Sequence, residues 1–379
     1  MVISTETQGR KSSSRMPWNS DVRGFLGVEQ SLSEKPLLPG EKRSLKMLMP
    51  VVNQIATVEL AAAAMLEPTR VLGVETNLLR IDSVSSLPGN QVMETTLWTD
   101  AAGEVIKTRM SDVLPESFRT THQTALAPAS KAGQLDLGRD LFVKVDPPLA
   151  KPLETREVTY RVELADGDPT KVFASGSTQS VKSLGPHVAE VTVRSIRPGD
   201  TTMSNATADK PAPEYSSANS ILQIDDPQIR KMAAEAKGNA KTPAELAVAL
   251  ERYVHGAVSE KNFSHGFATA AEVAESRAGD CTEHAVLLAA LARAVGLPSR
   301  VAIGLVYVDR AAAFGYHMWT EVFLDGCWIP QDAIQGGGGT SAAYLKLNDS
   351  SLEGASAYSS FLSVAQVLGQ LKVSVVSAK

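Results

Sequence analysis

From about residue 70 to 198, apolar and polar positions alternate with the period of half-buried strands. Val158, Tyr160, Val162 and Leu164 fall on one face of 157–164, and Asp166-Gly167-Asp168-Pro169 then turns the chain into a further strand at 171–174. Residues 91–99 and 104–110 flank Asp100-Ala101-Ala102-Gly103 as a hairpin, and another strand at 188–196 stops at Pro198-Gly199. Beyond 217 the period becomes helical. Asp226-Pro227 sets an N-cap before a proline at the first helical position and opens a helix to about Ala236. Thr242 and Glu245 form a capping box for a helix on which Leu246, Leu250, Tyr253, Val254 and Ala257 recur at helical spacing. Thr269 and Glu272 repeat the box before a short helix at 270–275. A last run of helix formers, 282–295, is apolar all round over 285–292, as for a helix buried between layers; Gly296 and Pro298 end it.

Strand signals return after Pro298. Residues 300–308 are rich in Val, Ile and Tyr, and 317–324 and 327–334 flank Asp325-Gly326, a two-residue hairpin signal. With 325–326 as the loop, Leu324 faces Cys327 and His317 faces Ile334. Asp332 then lies two residues from Ile334 on the same face, at a diagonal distance of roughly 7–8 Å from His317, within reach of a hydrogen bond. Pro330 calls for an edge strand or a bulge, and a slip of one residue would turn Asp332 away. The glycines at 336–339 read as a flexible loop; without a following Lys-Ser/Thr pair they do not make a phosphate cradle. A short strand at 344–347, a helix at 357–368 and a strand at 371–376 that joins the same sheet finish the chain. Four stretches follow: a disordered leader at 1–45, a β-rich accessory domain at 46–198, a linker at 199–217 and an α+β catalytic domain at 218–379. Within the second, 45–66 is apolar without a period that decides between helix and strand.

Chemistry concentrates between 279 and 332. Cys281 opens the 282–295 helix, where the positive end of the helix dipole favours thiolate, the nucleophilic form. A thiol nucleophile needs an imidazole to take its proton, and the imidazole needs a third group to fix its tautomer and direction. Cys281, His317 and Asp332 fill those roles in that order, and backbone N–H groups at the helix start, that of Cys281 among them, suit an oxyanion. Cys281, His284, His317 and Cys327 make a poor zinc set, lacking the paired Cys-x-x-Cys spacing of structural sites, and no metal or other cofactor is expected. Cys327 reads as a buried small apolar residue, Trp319 and Trp328 as core packing, and Glu321 as a structural partner of Arg300.

Gly279-Asp280-Cys281, the helix end Gly296-Leu297-Pro298-Ser299-Arg300-Val301, His317-x-Trp319-x-Glu321-Val322, and Trp328 with Asp332 resemble the core of the transglutaminase-like superfamily over about 217–335. The resemblance implies a papain-like α+β fold, a helix bearing the cysteine packed on an antiparallel sheet, with Cys281, His317 and Asp332 as the triad. It also implies acyl transfer on protein or peptide amides through a cysteine thioester. Cysteine peptidase or amidase action on the same bonds is the alternative, and a non-enzymatic protein-binding module on the same scaffold a further one. Many members place a Trp or similar donor upstream of the cysteine to complete the oxyanion hole. Here the tryptophans are Trp18, Trp98, Trp319 and Trp328, none shortly before Cys281, which leaves Asn262 or Ser264 as substitutes.

Composition narrows the partners. With 379 residues, 43% hydrophobic and 21% charged, the chain has the make-up of a soluble globular protein of two domains. A net charge of -5 gives no reason to expect nucleic acid. Two cysteines build no disulfide framework. The apolar stretch at 47–66 is broken by Pro50, Asn53, Gln54 and Glu59 and falls short of a membrane span. Lys42, Arg43 and Lys46 before it and 61–64 near its end faintly resemble an export signal, so the expectation is a cytoplasmic protein by default, with export open.

Overall fold

The alternating stretches fold into antiparallel sheet. The computed structural model describes the chain except for residues 8–9, 16–17, 50–53, 88–90, 110–115, 123–141, 201–210, 260–267, 354–363, 365–366 and 368. It divides into two units, Met1–Leu137 and Gly138–Lys379.

The first unit begins with a hairpin, β1 (Val2–Thr7) and β2 (Arg10–Arg15). Then follow β3 (Val22–Arg23), α1 (Gly27–Glu34), β4 (Lys42–Met49), β5 (Gln54–Ala62), β6 (Glu67–Val71), β7 (Val74–Leu87), β8 (Gln91–Thr99), β9 (Val105–Arg109) and β10 (Ser117–Phe118). They form one sheet in the order β10-β9-β8-β7-β5-β4-β3, with β6 on β7. The region is therefore β-rich, and its ordered elements start well before residue 46, against the expectation of a disordered leader. Leu32, Leu37 and Met47 are buried there, too sparse to set a visible period. The undecided 45–66 stretch contains most of β4 and all of β5, which pair residue for residue from Lys42↔Ala61 to Met49↔Gln54.

The second unit mixes helix and sheet. It contains β11 (Val143–Lys144), β12 (Glu157–Leu164), α2 (Pro169–Val172), β13 (Gln179–Gly185), β14 (Val188–Arg194), α3 (Pro227–Lys237), α4 (Pro243–Ala257), α5 (Ala270–Ser276) and α6 (Cys281–Ala294). After α6 come β15 (Ser299–Val308), β16 (Ala313–Leu324), β17 (Cys327–Gln331), β18 (Tyr344–Ser350) and β19 (Leu371–Ala378). One sheet runs β11-β16-β15-β18 with β17 on β16; the other runs β13-β14-β12-β19.

Several expectations change here. The strands 157–164 and 188–194 belong to the same unit as α6, because β12 pairs with the C-terminal β19, a partner far away in sequence that periodicity cannot reveal. The division between units accordingly falls at Leu137/Gly138, not in the Pro- and Ser-rich 199–217. For the same reason 371–378 extends the second sheet and not the one expected. Residues 169–172 are a helical turn, not a strand: Asp168 accepts the Thr170 N–H at 2.9 Å and Pro169 takes the first helical position. The helix expected at 357–368 lies largely outside the described residues.

The layer that carries the candidate site is helix on sheet. Its core holds Met232 from α3, Leu250 from α4, Val273 from α5, Leu287, Leu288 and Leu291 from α6, and Val301, Met318 and Val322 from the sheet. Both expected capping boxes form, at Thr242/Glu245 and Thr269/Glu272. Two hydroxyls pin α6 to the sheet: Thr320 Oγ1 donates to the Ala285 carbonyl at 2.9 Å and Ser299 Oγ to the Ala289 carbonyl at 2.7 Å. Arg293, in the last turn where a cation complements the helix dipole, donates to the carbonyls of Ser299, Ser217 and Ser351.

Beside this layer Glu321 is buried between Arg300 (2.7 Å) and Lys346 (3.1 Å), and Asp349 takes both cations at 2.8 and 3.2 Å. Burial raises the Glu321 carboxyl, but the two cations outweigh it and hold it below 4.5. Its stabilising contribution is therefore present above about pH 4.5 and is lost as pH falls through the lowered value. Glu321→Gln, which leaves Asp349 as the one acid shared by the two cations, is expected to cost about 3 kcal/mol in urea unfolding at pH 7. The gap from the parent should narrow on acidification; a gap that stays constant from pH 7 to pH 3 would contradict this account.

Candidate active site

Cys281 stands at the first position of α6, and Asp280 caps that helix. Asp280 Oδ1 accepts the Thr282 N–H at 2.9 Å. Glu283 reaches back to the Asp280 N–H at 3.0 Å and to the Ala268 N–H at 3.1 Å, closing a capping box around the thiol. Gly279 is required here: its φ is +152°, and a Cβ on it would stand 2.3 Å from the Glu283 Cβ. His284, one turn on, is buried with Nδ1 at 2.6 Å from the Asp280 carbonyl, so its ring is held by the backbone of its own helix. Cys327 lies wholly in the hydrophobic core.

His317 arrives from β16. The hairpin has the register expected, Leu324↔Cys327 through Thr320↔Gln331. Pro330 opposes Glu321 with no shift of register, and among the described residues β17 pairs with β16 alone, the edge position that tolerates a residue without an N–H. Asp332 follows the last paired residue, and its carboxylate Oδ2 lies 2.9 Å from His317 Nε2. Nε2 is committed to Asp332, and the ring also interacts with the Cys281 thiol. The structure thus brings Cys281, His317 and Asp332 together. Gly304 opposes His317 and permits the packing behind it: a Cβ there would stand 2.0 Å from the Leu345 carbonyl oxygen and 2.9 Å from Trp319. Trp319 stacks on His317 at 6.3 Å between centroids and meets Tyr344 edge-on at 5.4 Å.

The electrostatics favour a charged imidazole. Burial works against charge on His317, but the Asp332 carboxylate and hydrogen bonds to Asp332 and Cys281 outweigh it, raising the pKa from 6.5 to about 10. Burial likewise raises Asp332, yet His317, the Tyr344 hydroxyl and the Ile334 N–H together hold it below the ordinary 3.8.

Two residues at this site were missed in the sequence. Tyr344 Oη donates to the same Asp332 Oδ2 at 2.7 Å, and no periodic signal marks that role. Glu251 is fully buried on α4 beneath Asp332; it sits on the stripe Ala247, Leu250, Glu251, Val254, and an acid on an apolar helix face is a readable anomaly. Asn262 and Ser264, the substitutes for an upstream tryptophan, lie outside the described residues.

A cysteine at a helix start facing a histidine–carboxylate pair on antiparallel sheet is the architecture of cysteine-dependent enzymes of the papain-like kind. Residues 230–333 match the family model of the transglutaminase-like superfamily, and the chain carries a transglutaminase-like domain there. Among solved structures the chain is similar to a candidate cysteine protease from Cytophaga hutchinsonii: 14% identity over 59% of this chain and 86% of that one, TM-score 0.38. It is also similar to the periplasmic domain of TgpA from Pseudomonas aeruginosa, at 14% identity over 48% and 91%, TM-score 0.26. A third, a structure of a TGase, is 15% identical over 42% and 44%, TM-score 0.24. No curated protein matches. Among the described residues, no helix is long and apolar enough to cross a membrane.

Because the raised His317 value rests chiefly on Asp332, Asp332→Asn should lower it well below about 10, with burial then opposed chiefly by Cys281; a histidine ring NMR titration reads it. The charged pair contributes fully between about pH 4 and 6.5; the Asp332 part is lost as pH falls through its lowered value and the His317 part as pH rises through about 10, so the variant should differ from the parent most between those two limits. A His317 that titrates alike in both proteins would contradict the pairing.

Proposed function

We propose that the transglutaminase-like domain catalyses thiol-dependent acyl transfer on protein or peptide amides, with Cys281 as nucleophile, His317 as acid and base, and Asp332 as its orienter. The observation that carries this reading is the His317–Asp332 bond of 2.9 Å, with the second ring nitrogen left for a thiol at the first position of α6. An imidazole held in one tautomer beside a thiol is what nucleophilic catalysis requires.

Cys281 Sγ adds to the amide carbonyl, and the developing oxyanion is met by the backbone N–H of Cys281 at the positive end of α6. The C–N bond then breaks, with the proton passing from His317 to the departing amine, leaving a thioester. An acceptor amine or water next attacks the thioester carbonyl, giving its proton to His317. The C–S bond breaks, and the thiol is restored. An amine acceptor yields transamidation and water yields hydrolysis, with the same three side chains serving both.

The test is an incubation with a glutamine-containing protein and a labelled primary amine, following label incorporation and ammonia release, beside Cys281→Ala. The reading predicts one or both signals in the parent and at least a 10³-fold loss in Cys281→Ala, the scale on which loss of a triad nucleophile acts. Equal signals with and without Cys281, or no acyl product from a wider set of peptide amides, would contradict it.

A further inference from the structure

Glu251 is the buried acid that the steps above do not use. Its carboxylate gathers donors from three places. Oε2 accepts the Gln331 amide Nε2 at 3.0 Å and the Gly339 N–H at 2.9 Å, and Oε1 accepts the Gly338 N–H at 3.2 Å. Gln331 is the residue immediately before Asp332, so the bond to its amide also holds the approach to Asp332. Asp332 in turn closes the same turn from its other side, its carbonyl accepting the N–H of Gln335 at 3.0 Å and of Gly336 at 2.9 Å. The glycine run is thus a cradle wrapped on one carboxylate. Gly338 and Gly339 have φ of +75° and +113°, so the N–H groups converge only where the backbone can turn this way.

The cradle leaves one atom out. Gln331 is fully buried, and while its amide nitrogen points at Glu251, its Oε1 has no hydrogen-bond partner among the described residues. Protonation of Glu251 would not repair this, because turning the amide to accept the acid's O–H would leave the Gln331 NH2 unpartnered in its place. A neutral acid also offers the cradle one good acceptor oxygen where the carboxylate offers two. The ionised acid therefore grips Gln331 and the glycine turn, and the neutral acid loosens both.

We infer that Glu251 is a positioning residue for Asp332: its negative charge holds the strand end and glycine turn that aim Asp332 at His317, and its protonation releases them. This rests on the triad reading above.

The groups facing Glu251 fix where the change occurs. Asp332 stands against it at the end of β17, and Tyr344 on β18 lies within range of its charge. His255, one turn along α4, is occupied through Nδ1 by the Ala333 carbonyl, and the Arg197 Cγ stands 3.1 Å from where a Cβ on Gly339 would be. His317 lies behind Asp332. Burial and then the Asp332 charge push the Glu251 carboxyl up, the backbone donors pull it down, and the balance is about 7 against an ordinary 4.5. The change thus falls near neutrality, while His317 stays charged.

The experiment measures the rate of iodoacetamide alkylation of Cys281, read at the peptide by mass spectrometry, from pH 5.5 to 8.5. It compares the full chain with Glu251→Gln, Gln331→Leu and His317→Ala. The parent rate should rise about tenfold through a midpoint near 7, the scale set by one charge-assisted hydrogen bond. Glu251→Gln should stay flat at the low plateau. Gln331→Leu, which removes one donor to the carboxylate, should move the midpoint upward by destabilising the ionised form. An inflection near 7 that persists unchanged in Glu251→Gln would overturn the inference, as would an unmoved midpoint in Gln331→Leu. If Glu251→Gln does not fold, the Gln331→Leu midpoint decides alone. Failure of the triad reading looks different: Cys281 would then react no faster in the parent than in His317→Ala, and both proposals would fall together.

Discussion

The candidate site depends on one buried carboxylate. Asp332 is almost wholly removed from water, and an unpaired charge there would be costly. Oδ2 receives His317 and Tyr344, and Oδ1 receives the Ile334 N–H. These contacts hold the negative charge in the interior, and that charge keeps His317 protonated despite burial. Without it the ring would be neutral, and the thiol at the start of α6 would have no cation to face. The rest of the domain sets the aim. The hairpin register brings Asp332 to the His317 side, Thr320 and Ser299 fix the sheet to α6, and the Asp280/Glu283 capping box fixes the thiol on that helix.

Burial without loss is what the surrounding residues secure. Trp319 and Tyr344 close over the imidazole, and Gly304 leaves room for them where any side chain would strike the neighbouring strand. The Arg300–Glu321–Lys346–Asp349 cluster shows the same rule a few residues along β16: a buried acid needs partners for its charge. Glu251 has dipoles in place of cations. Two cations outweigh burial at Glu321 and hold it below its ordinary value, while at Glu251 burial and the nearby Asp332 charge outweigh the backbone donors and it rises.

What could be read in the chain follows from the range of each interaction. Capping boxes are local, and all those anticipated form. The Asp-Gly hairpin is nearly as local; once its two-residue loop is fixed, every pair from Leu324↔Cys327 back to Thr320↔Gln331 follows by counting. That brought Cys281, His317 and Asp332 within view, because each lies on a helix start or a strand beside a strong punctuation signal. Long-range pairing was not legible. Nothing in 157–164 announces that its partner is 371–378, and so the unit boundary was expected some sixty residues too late. Glu251 and the 336–339 glycines show the same limit at the site. Their meaning lies in one carboxylate meeting three donors from distant segments, although a charged residue on the apolar stripe of α4 was there to be noticed.

The most direct measurement is to look for the acyl group on the chain itself. The protein would be mixed with an activated acyl donor, quenched in acid within one turnover, and its peptides weighed. The account predicts a mass increase equal to the acyl group on Cys281, lost when His317 is replaced by alanine. An adduct absent from Cys281, or present there at the same level without His317, would contradict it.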